Sequence, residues 1–135
     1  LGATDGPGQT GRFVFHVADS SWEWDDDVFA IHGYLPGEVE LTTELIMGHK
    51  HEQDRPLVED TLQAAIDDGT PFNIYYRIIV GDTVRRVVLV GEGEYDEGRT
   101  ASGTVDRLVG YYLDLTPEME AETSAAADPP AATVA

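Results

Sequence analysis

Hydrophobic and polar residues alternate with a period of two in the first part of the chain. Phe13 and Phe15 alternate with other residues, and Trp22 and Trp24 repeat the spacing a few positions later. A period of two predicts strands, so we expect two short strands that meet at the turn-prone residues 18–21. The spacing also places both tryptophans on one face of the second strand, where large aromatic side chains commonly pack in a core.

The pattern becomes helical after the second strand, in two short runs. Asp25–Asp27 precede an apolar run that ends at Gly33, which predicts a short helix with acidic residues at its positive end. Residues 42–49 predict a second short helix, with Thr42 or Thr43 as its N-cap.

The longest helix is predicted next. We expect it to begin after Asp54 as its N-cap and to end at Gly69, a residue suited to a C-terminal cap. Apolar residues recur along it at i, i+1, i+4 and i+5, which is typical of a helix with one buried face. This stripe contains Leu57, Val58, Thr61, Leu62, Ala65 and Ile66.

Three further strands are predicted in the second half of the chain. Residues 72–80 have an apolar residue at every second position, residues 81–83 supply a tight turn, and residues 84–96 return as a β-branched partner. Residues 106–116 form the last strand. This order of elements predicts an α+β domain, in which a five-stranded antiparallel sheet has short helices and one longer helix on one face.

Composition divides the chain into three parts. Residues 1–11 are rich in Gly and lack a periodic apolar pattern, so we expect a flexible leader. Residues 12–116 form the predicted domain. Residues 117–135 are rich in Ala, Glu, Thr and Pro and contain no Lys or Arg, which indicates an acidic linker or tail.

Charge and cysteine content exclude several classes of function. The formal net charge of -18 would repel phosphate backbones and anionic lipids, so we expect no direct binding of nucleic acid or membrane. No apolar run approaches the roughly 20 residues that span a bilayer. The absence of Cys removes disulfides, thiolate nucleophiles and cysteine-ligated metals. We therefore expect a soluble, cytoplasmic protein.

Two histidines around a lysine, in TTELIMGHKHEQDR, allow several interpretations. A metal site needs three or four ligands of suitable geometry, and His49 and His51 with Glu52 supply only part of a set. An acid–base pair such as His51 with Asp54 lacks the rest of an active site, because the chain has no phosphate loop and no nucleophile elbow. The favoured interpretation is structural: His51 and Asp54 satisfy backbone amides where the long helix begins. We expect neither a metal site nor enzymatic activity.

Several strings in the predicted order resemble a PAS domain, of the variety with a Trp-rich second strand. They are WEWDDDVFAIHGYLPGEV (22–39), HEQDR (51–55), YRI (76–78) and GYYLDLT (110–116). TTELIMGHKHEQDR further resembles the PAS domains that precede an ANTAR domain in actinobacterial regulators. Glu52 departs from the family pattern, which usually has Pro there.

The resemblance implies a sensory or docking module. PAS domains cup a five-stranded sheet over short helices, with a cavity that holds a ligand or nothing, and the signal usually leaves through the final strand. ANTAR domains bind RNA and control transcription antitermination, and we expect such an output domain outside this sequence. The cavity candidates are Trp24, Phe29, His32, Tyr76, Val88 and Tyr112. The structural and signal motif comprises His49, His51, Asp54, Arg55, Asp114 and Thr116.

The cofactor and the partner stay open at this point. Haem would need an axial histidine, for which the candidates are His32, His49 and His51. A light-sensing flavin is excluded, since its photochemistry needs a cysteine in a defined motif. A second class of function is a ligand-free module that forms a homodimer or docks a partner through its sheet. Apolar residues exposed on the final strand, such as Tyr111, would favour this second class.

Overall fold

The structure is a computed structural model that describes residues 9–98, 103–116 and 130–134. Residues 1–8 of the predicted leader and most of the predicted linker lie outside the described residues. The elements in chain order are β1 (Thr10–His16), β2 (Ser21–Trp24), α1 (Asp26–Ile31), α2 (Thr43–Gly48), α3 (Arg55–Asp68), β3 (Phe72–Val80), β4 (Thr83–Glu94), β5 (Arg107–Asp114) and β6 (Ala132–Thr133). This order confirms the predicted α+β class.

All six strands form one sheet in the order β2-β1-β5-β4-β3-β6, and every neighbouring pair is antiparallel. Five of the strands are those predicted from the alternating pattern. The sixth, β6, is a two-residue strand in which Thr133 and Ala132 pair with Ile74 and Tyr75 of β3. It lies in the stretch predicted as a linker or tail. The hydrophobic pattern did not indicate this strand, because pairing at a sheet edge uses backbone groups and needs no alternation of apolar residues.

The sheet has an inner face against the helices and an outer face away from them. Strand register sorts the residues between the two: Phe13, Gly110, Gly91 and Phe72 are successive partners across four strands and share the inner face. The hydrophobic core joins this inner face to Val28, Phe29 and Ile31 of α1, Ile46 of α2, and Val58, Leu62 and Ala65 of α3. The helices therefore cover one face of the sheet, as predicted.

The local signals at the starts of α1 and α2 and at the end of α3 operate where they were expected. The Asp25 side chain accepts a hydrogen bond from the Val28 amide at 3.0 Å and caps α1, and the Thr42 hydroxyl caps α2 in the same way through Leu45. Gly69 ends α3 with a φ of 81°, in the left-handed region that favours glycine. None of the described helices is long and apolar enough to cross a membrane.

Candidate functional site

Five polar side chains meet between the inner face of the sheet and the helices, and we call them the interior polar cluster. They are His32, His49, Lys50, Tyr76 and Tyr112. All except the half-buried His49 are at most 1% exposed. Because polar groups are rarely buried so completely without a structural or functional reason, the cluster is the first place to look for a site.

His32 follows the last residue of α1 and turns its ring into the interior. Its Nδ1 lies 2.9 Å from the Val28 carbonyl oxygen and donates to it, and the ring stacks on Trp24 with 4.2 Å between centroids. Burial lowers the pKa of the His32 imidazole to about 3, so the ring is neutral near pH 7. The other ring nitrogen, Nε2, is buried and has no hydrogen-bond partner among the described residues, and the same holds for Nε1 of Trp24.

Lys50 reaches the same interior from the segment between α2 and α3. An isolated β-bridge to Ile78 fixes its backbone against β3. The Lys50 Nζ lies 3.4 Å from the Tyr76 hydroxyl and 4.9 Å from the centre of the Tyr76 ring. Burial, with a smaller contribution from the nearby Arg55 guanidinium, lowers the pKa of the Lys50 ammonium to about 7. The amine can therefore exist in either protonation state near neutral pH.

Tyr76 and Tyr112 come from β3 and β5 and share a hydrogen bond between their hydroxyls. Burial raises the pKa of the Tyr112 hydroxyl to about 12 and that of Tyr76 well above its ordinary value. Both phenols therefore stay neutral at physiological pH. They contribute hydroxyl groups to the interior but no negative charge.

His49 and His51, the two histidines singled out in the sequence, have separate structural roles. His49 is held at both ring nitrogens, by the Tyr34 hydroxyl at 2.8 Å and the Ile79 carbonyl at 2.7 Å. His51 lies outside the cluster, and its Nδ1 accepts a hydrogen bond from the Gln53 amide at 3.1 Å. Both histidines thus order the approach to α3.

Asp54 occupies the N-cap position of α3, but its carboxylate forms no capping hydrogen bond with the helix. It accepts three hydrogen bonds from Arg77 instead, from the backbone amide at 2.9 Å, from Nε at 2.9 Å and from Nη2 at 2.7 Å. A fourth comes from the amide of Ala131, beside β6. The structure therefore differs from the expected cap, because a bidentate guanidinium is a stronger donor than the helix amides.

Burial raises the pKa of the Asp54 carboxyl, but the hydrogen bonds from Arg77 outweigh it and hold that pKa below the ordinary value. The pair is almost fully buried, with 7% exposure for the Arg77 side chain and none for Asp54. Arg55, the next residue of the motif, donates from Nη2 to the Lys50 carbonyl oxygen at 3.1 Å. This motif therefore fixes the Lys50 backbone to the start of α3.

The predicted signal exit forms a closed turn at the end of β5. The Asp114 carboxylate accepts a hydrogen bond from the Thr116 amide at 2.9 Å, and the Thr116 hydroxyl accepts one from the Arg86 amide at 2.7 Å. These hydrogen bonds connect the end of β5 to β4 at the point where the chain leaves β5.

Most of the cavity candidates lie in the interior. Trp24 packs edge to face against Phe29 and Tyr112, with 5.3 Å between the ring centres of Trp24 and Phe29, and Tyr112 also packs edge to face against His32. Val88 is different, because it pairs with Tyr75 and Leu113 on the outer face, where it is buried but does not belong to the main core cluster. The sequence pattern of β4 is apolar at consecutive positions, so it did not reveal which ones face inward.

Lys50 is the interior residue that sequence reasoning missed as a site. A signal was available: it is the single Lys of the chain, and a short apolar run at residues 45–47 precedes it. Nothing local showed that its side chain is buried, because that follows from the bridge to a strand 28 positions later.

Two further possibilities for the interior residues are a metal site and a haem site. No group of three or more His, Cys, Asp or Glu side chains in the described part of the chain could hold a metal ion. His32 has a free ring nitrogen, but its ring is enclosed by Trp24 at 4.2 Å, Tyr112 at 5.2 Å and His49 at 5.4 Å between centroids. This packing does not fit a porphyrin.

The outer face presents a second surface. Tyr111 is 53% exposed and Val90 is 41% exposed, and both line a groove of about 900 Å³ with Val109 and Val134. Arg12, Glu92 and Glu94 lie along the same groove. Neighbouring residues of β5 therefore face opposite sides of the sheet, with Tyr112 in the interior and Tyr111 exposed to solvent.

Known proteins share this architecture. A family model described as PAS fold matches residues 21–86. An uncharacterized protein of Mycobacterium leprae (strain TN) is 29% identical over 77 residues, which are 56% of this chain and 53% of that protein. The chain thus spans about half the length of that relative.

Solved structures superpose on most of the chain. An RNA-binding Light-Oxygen-Voltage receptor matches with a TM-score of 0.70 and 21% identity, over 82% of this chain and 30% of that one. A sensory box histidine kinase/response regulator from Burkholderia thailandensis matches with a TM-score of 0.67 and 19% identity, over 86% and 84%. The N-terminal domain of a diguanylate cyclase with a PAS/PAC sensor from Marinobacter aquaeolei matches with a TM-score of 0.68 and 18% identity, over 81% and 97%.

At these identities the superpositions establish the fold. The superposed structures and the family match over residues 21–86 indicate the same fold. The order of helices and strands before and after that range agrees with it. This chain therefore has the PAS fold.

Proposed function

We propose that the chain is the sensory part of a regulatory protein, which binds a small ligand in its interior and relays the signal to a separate output domain. The observation that carries the proposal is the interior polar cluster. Lys50, His32 and the adjoining Trp24 keep buried polar atoms with incomplete hydrogen bonding, at the place where the fold encloses its interior. Such atoms are costly to bury, and a ligand that pairs with them would compensate the cost.

The proposed role is non-enzymatic and needs no catalytic residue. The relay would leave through the turn of Asp114 and Thr116, because hydrogen bonds join that turn to Arg86 of β4. Movement of the inner face of β5, which carries Tyr112, would reach the turn two residues later.

We further propose that the output domain is an RNA-binding ANTAR domain that controls transcription antitermination. The string TTELIMGHKHEQDR supports this through its resemblance to PAS domains that precede ANTAR domains. One structural neighbour is described as RNA-binding, and the match covers only 30% of that protein. The high negative charge of this chain is consistent with an RNA contact made by another domain. Reading the natural gene beyond residue 135 tests the assignment, since an output domain of another class would refute it.

The ligand is tested on the protein as purified without a tag. Its mass is compared under native and denaturing conditions, and an absorbance scan is taken from the same sample. An extra mass that disappears on denaturation would support the proposal, and a Soret band would contradict the exclusion of haem. A protein mass with no bound molecule would refute tight ligand binding.

Tyr112→Phe and Tyr111→Phe form a matched pair for this test. Each removes one hydroxyl from adjacent residues of β5, but Tyr112 is 1% exposed and Tyr111 is 53% exposed. Occupancy of an interior ligand should fall in Tyr112→Phe and stay unchanged in Tyr111→Phe. Equal occupancy in both variants would place the bound molecule elsewhere.

A second function is favoured by the outer face. Tyr111 and Val90 are exposed beside Val109, and this apolar surface suits a homodimer or a docked partner without a ligand. Sedimentation of the untagged protein over a range of concentrations distinguishes the two functions. A dimer with no bound molecule would favour docking, and a monomer with a bound molecule would favour ligand sensing.

A further inference from the structure

Lys50 is a buried cation for which the described residues supply no anion. Among residues 9–98, 103–116 and 130–134, no Asp or Glu forms an ion pair with its Nζ, and its contact with the Tyr76 hydroxyl is long at 3.4 Å. An ammonium has three donors and binds water strongly. A fully buried amine that uses one weak contact is therefore poorly compensated by the protein itself.

The groups around Lys50 do not supply the missing charge. His32 of α1 and His49 lie on the helical side, and Tyr76 and Tyr112 lie on the sheet. Each of these groups is a phenol or an imidazole, and none of them brings a carboxylate.

The charged groups nearby have other partners. Arg55 of α3 approaches from one side, and Arg85 of β4 donates to the Ala30 and Ile31 carbonyls near His32. Of the two carboxylates that follow it closely in the chain, Glu52 is exposed and Asp54 is occupied by Arg77. Within the part of the chain that the structure describes, the surroundings of Lys50 are therefore neutral or positive.

The same interior holds unused hydrogen-bonding groups. The Trp24 Nε1 is a donor, and the His32 Nε2 is an acceptor because Nδ1 donates to Val28. The two rings stack, so these free atoms belong to one packed unit. A molecule that offered an anionic acceptor would complete Lys50 and could contact the Trp24 donor as well.

We propose that the interior polar cluster binds a small organic carboxylate, with Lys50 as the cation that pairs with it. A carboxylate matches a donor-rich interior better than a neutral molecule, because charge-assisted hydrogen bonds are about twice as strong as neutral ones. The helix α2 buries a single residue, Ile46, so access from that side disturbs little packing. The inference rests on the ligand-binding part of the proposed function and specifies the ligand class.

The single lysine makes the test direct. Protein labelled with [ε-¹³C]lysine gives one side-chain resonance, and acetate and propionate are titrated at pH 6.5, with sodium chloride holding the ionic strength constant. Acetamide is the control, since it has the shape of acetate without the charge. The expected result is a saturable shift with a carboxylate and none with acetamide. No shift with either carboxylate, or an equal shift with acetamide, would overturn the inference.

Variants distinguish pairing from nonspecific attraction. Lys50→Met should weaken carboxylate binding at least about tenfold, measured by ligand-observed NMR, which is the size of one lost charge-assisted contact. Arg12→Met removes an exposed cation from the outer groove and should leave binding unchanged. Equal weakening by both substitutions would show attraction to general positive charge and would overturn the site.

Proton linkage gives an independent check. If the carboxylate pairs with the protonated amine, affinity falls about tenfold for each pH unit above the Lys50 pKa. Binding at pH 9 should thus be much weaker than at pH 6.5, and equal affinity would refute the pairing. A native mass that reveals a neutral ligand, with no acetate shift, would keep the proposed function and overturn only the carboxylate.

Discussion

Lys50 and Asp54 are buried charged residues four positions apart, and they differ in how completely the protein compensates their charge. Asp54 and Lys50 are each 1% exposed. The Asp54 carboxylate receives a bidentate guanidinium and two backbone amides. Among the described residues, the Lys50 ammonium meets a hydroxyl and an aromatic ring, both from Tyr76.

The difference indicates which charge belongs to the architecture and which is available for recognition. Burial alone does not separate them, since both side chains are equally hidden. The completeness of their hydrogen bonding does, because a satisfied group has nothing to gain from a ligand. The pair of Asp54 with Arg77 joins α3 to β3. The Lys50 amine has hydrogen-bond donors for which the described residues provide no acceptor beyond the Tyr76 hydroxyl.

The largest expected effect comes from breaking the satisfied pair. Asp54→Ala removes the carboxylate that pairs with the buried Arg77 guanidinium and should lower the free energy of unfolding by about 3–5 kcal/mol. Urea denaturation at pH 7 measures this change. Asp60→Ala, an exposed carboxylate on the same helix, should change stability by less than about 0.5 kcal/mol. Similar small effects in both variants would show that the pair is not structural.

The next effect is an acid sensitivity that originates at His32. Its folded pKa of about 3 lies below the ordinary 6.5, so between these values the unfolded chain binds more protons and stability falls as the pH falls. Between pH 6.5 and 5 this amounts to about 2 kcal/mol. His32→Phe keeps a ring against Trp24 and should lose less stability over that interval. Equal losses in urea denaturation would assign the sensitivity to other groups.

A smaller effect, of opposite sign, is expected at the unsatisfied charge. Lys50→Met replaces a costly amine with an apolar side chain of similar length, which should raise the free energy of unfolding by about 1–2 kcal/mol at pH 6.5.

The pH dependence of this gain follows from linkage. The folded pKa of Lys50, about 7, lies below the ordinary 10.5, so wild-type stability rises with pH between these values and the advantage of Lys50→Met shrinks. Lys50→Arg is the control, because it stays charged throughout and should be destabilised at every pH. A Lys50→Met protein less stable than wild type at pH 6.5 would contradict the view of Lys50 as uncompensated.

The smallest effect on stability is expected on the outer face. Tyr111→Thr keeps a strand-forming residue at an exposed position and should change the free energy of unfolding by less than about 0.5 kcal/mol. Sedimentation velocity then tests docking alone: a wild-type dimer that becomes monomeric in the variant would identify this face as its interface. A dimer that persists would place the interface elsewhere.

Local features of the fold could be predicted because neighbouring residues encode them. The alternation of Phe13 with Phe15, the caps at Asp25 and Thr42, and the terminator Gly69 all act within a few positions. They specify strands, helices and their ends before any long-range contact forms. The domain boundaries at 12 and 116 stay a prediction, although β1 begins two residues earlier, at Thr10.

The site depended on contacts that no short window contains. Val88 lies on the outer face because the hairpin of β3 and β4 sets the register, and a shift of one residue would have turned it inward. Asp54 binds Arg77 from 23 positions away, so an apparent cap became half of an ion pair.

The sequence by itself determined the class of the fold, the order of its elements and the chemistry that is absent, such as thiolate reactions. Only the tertiary structure decided that Lys50 is buried against Tyr76 and that no described carboxylate pairs with it. The physical reason is range: periodicity and capping act between near neighbours, whereas burial and charge pairing depend on strands and helices that meet only in the folded chain.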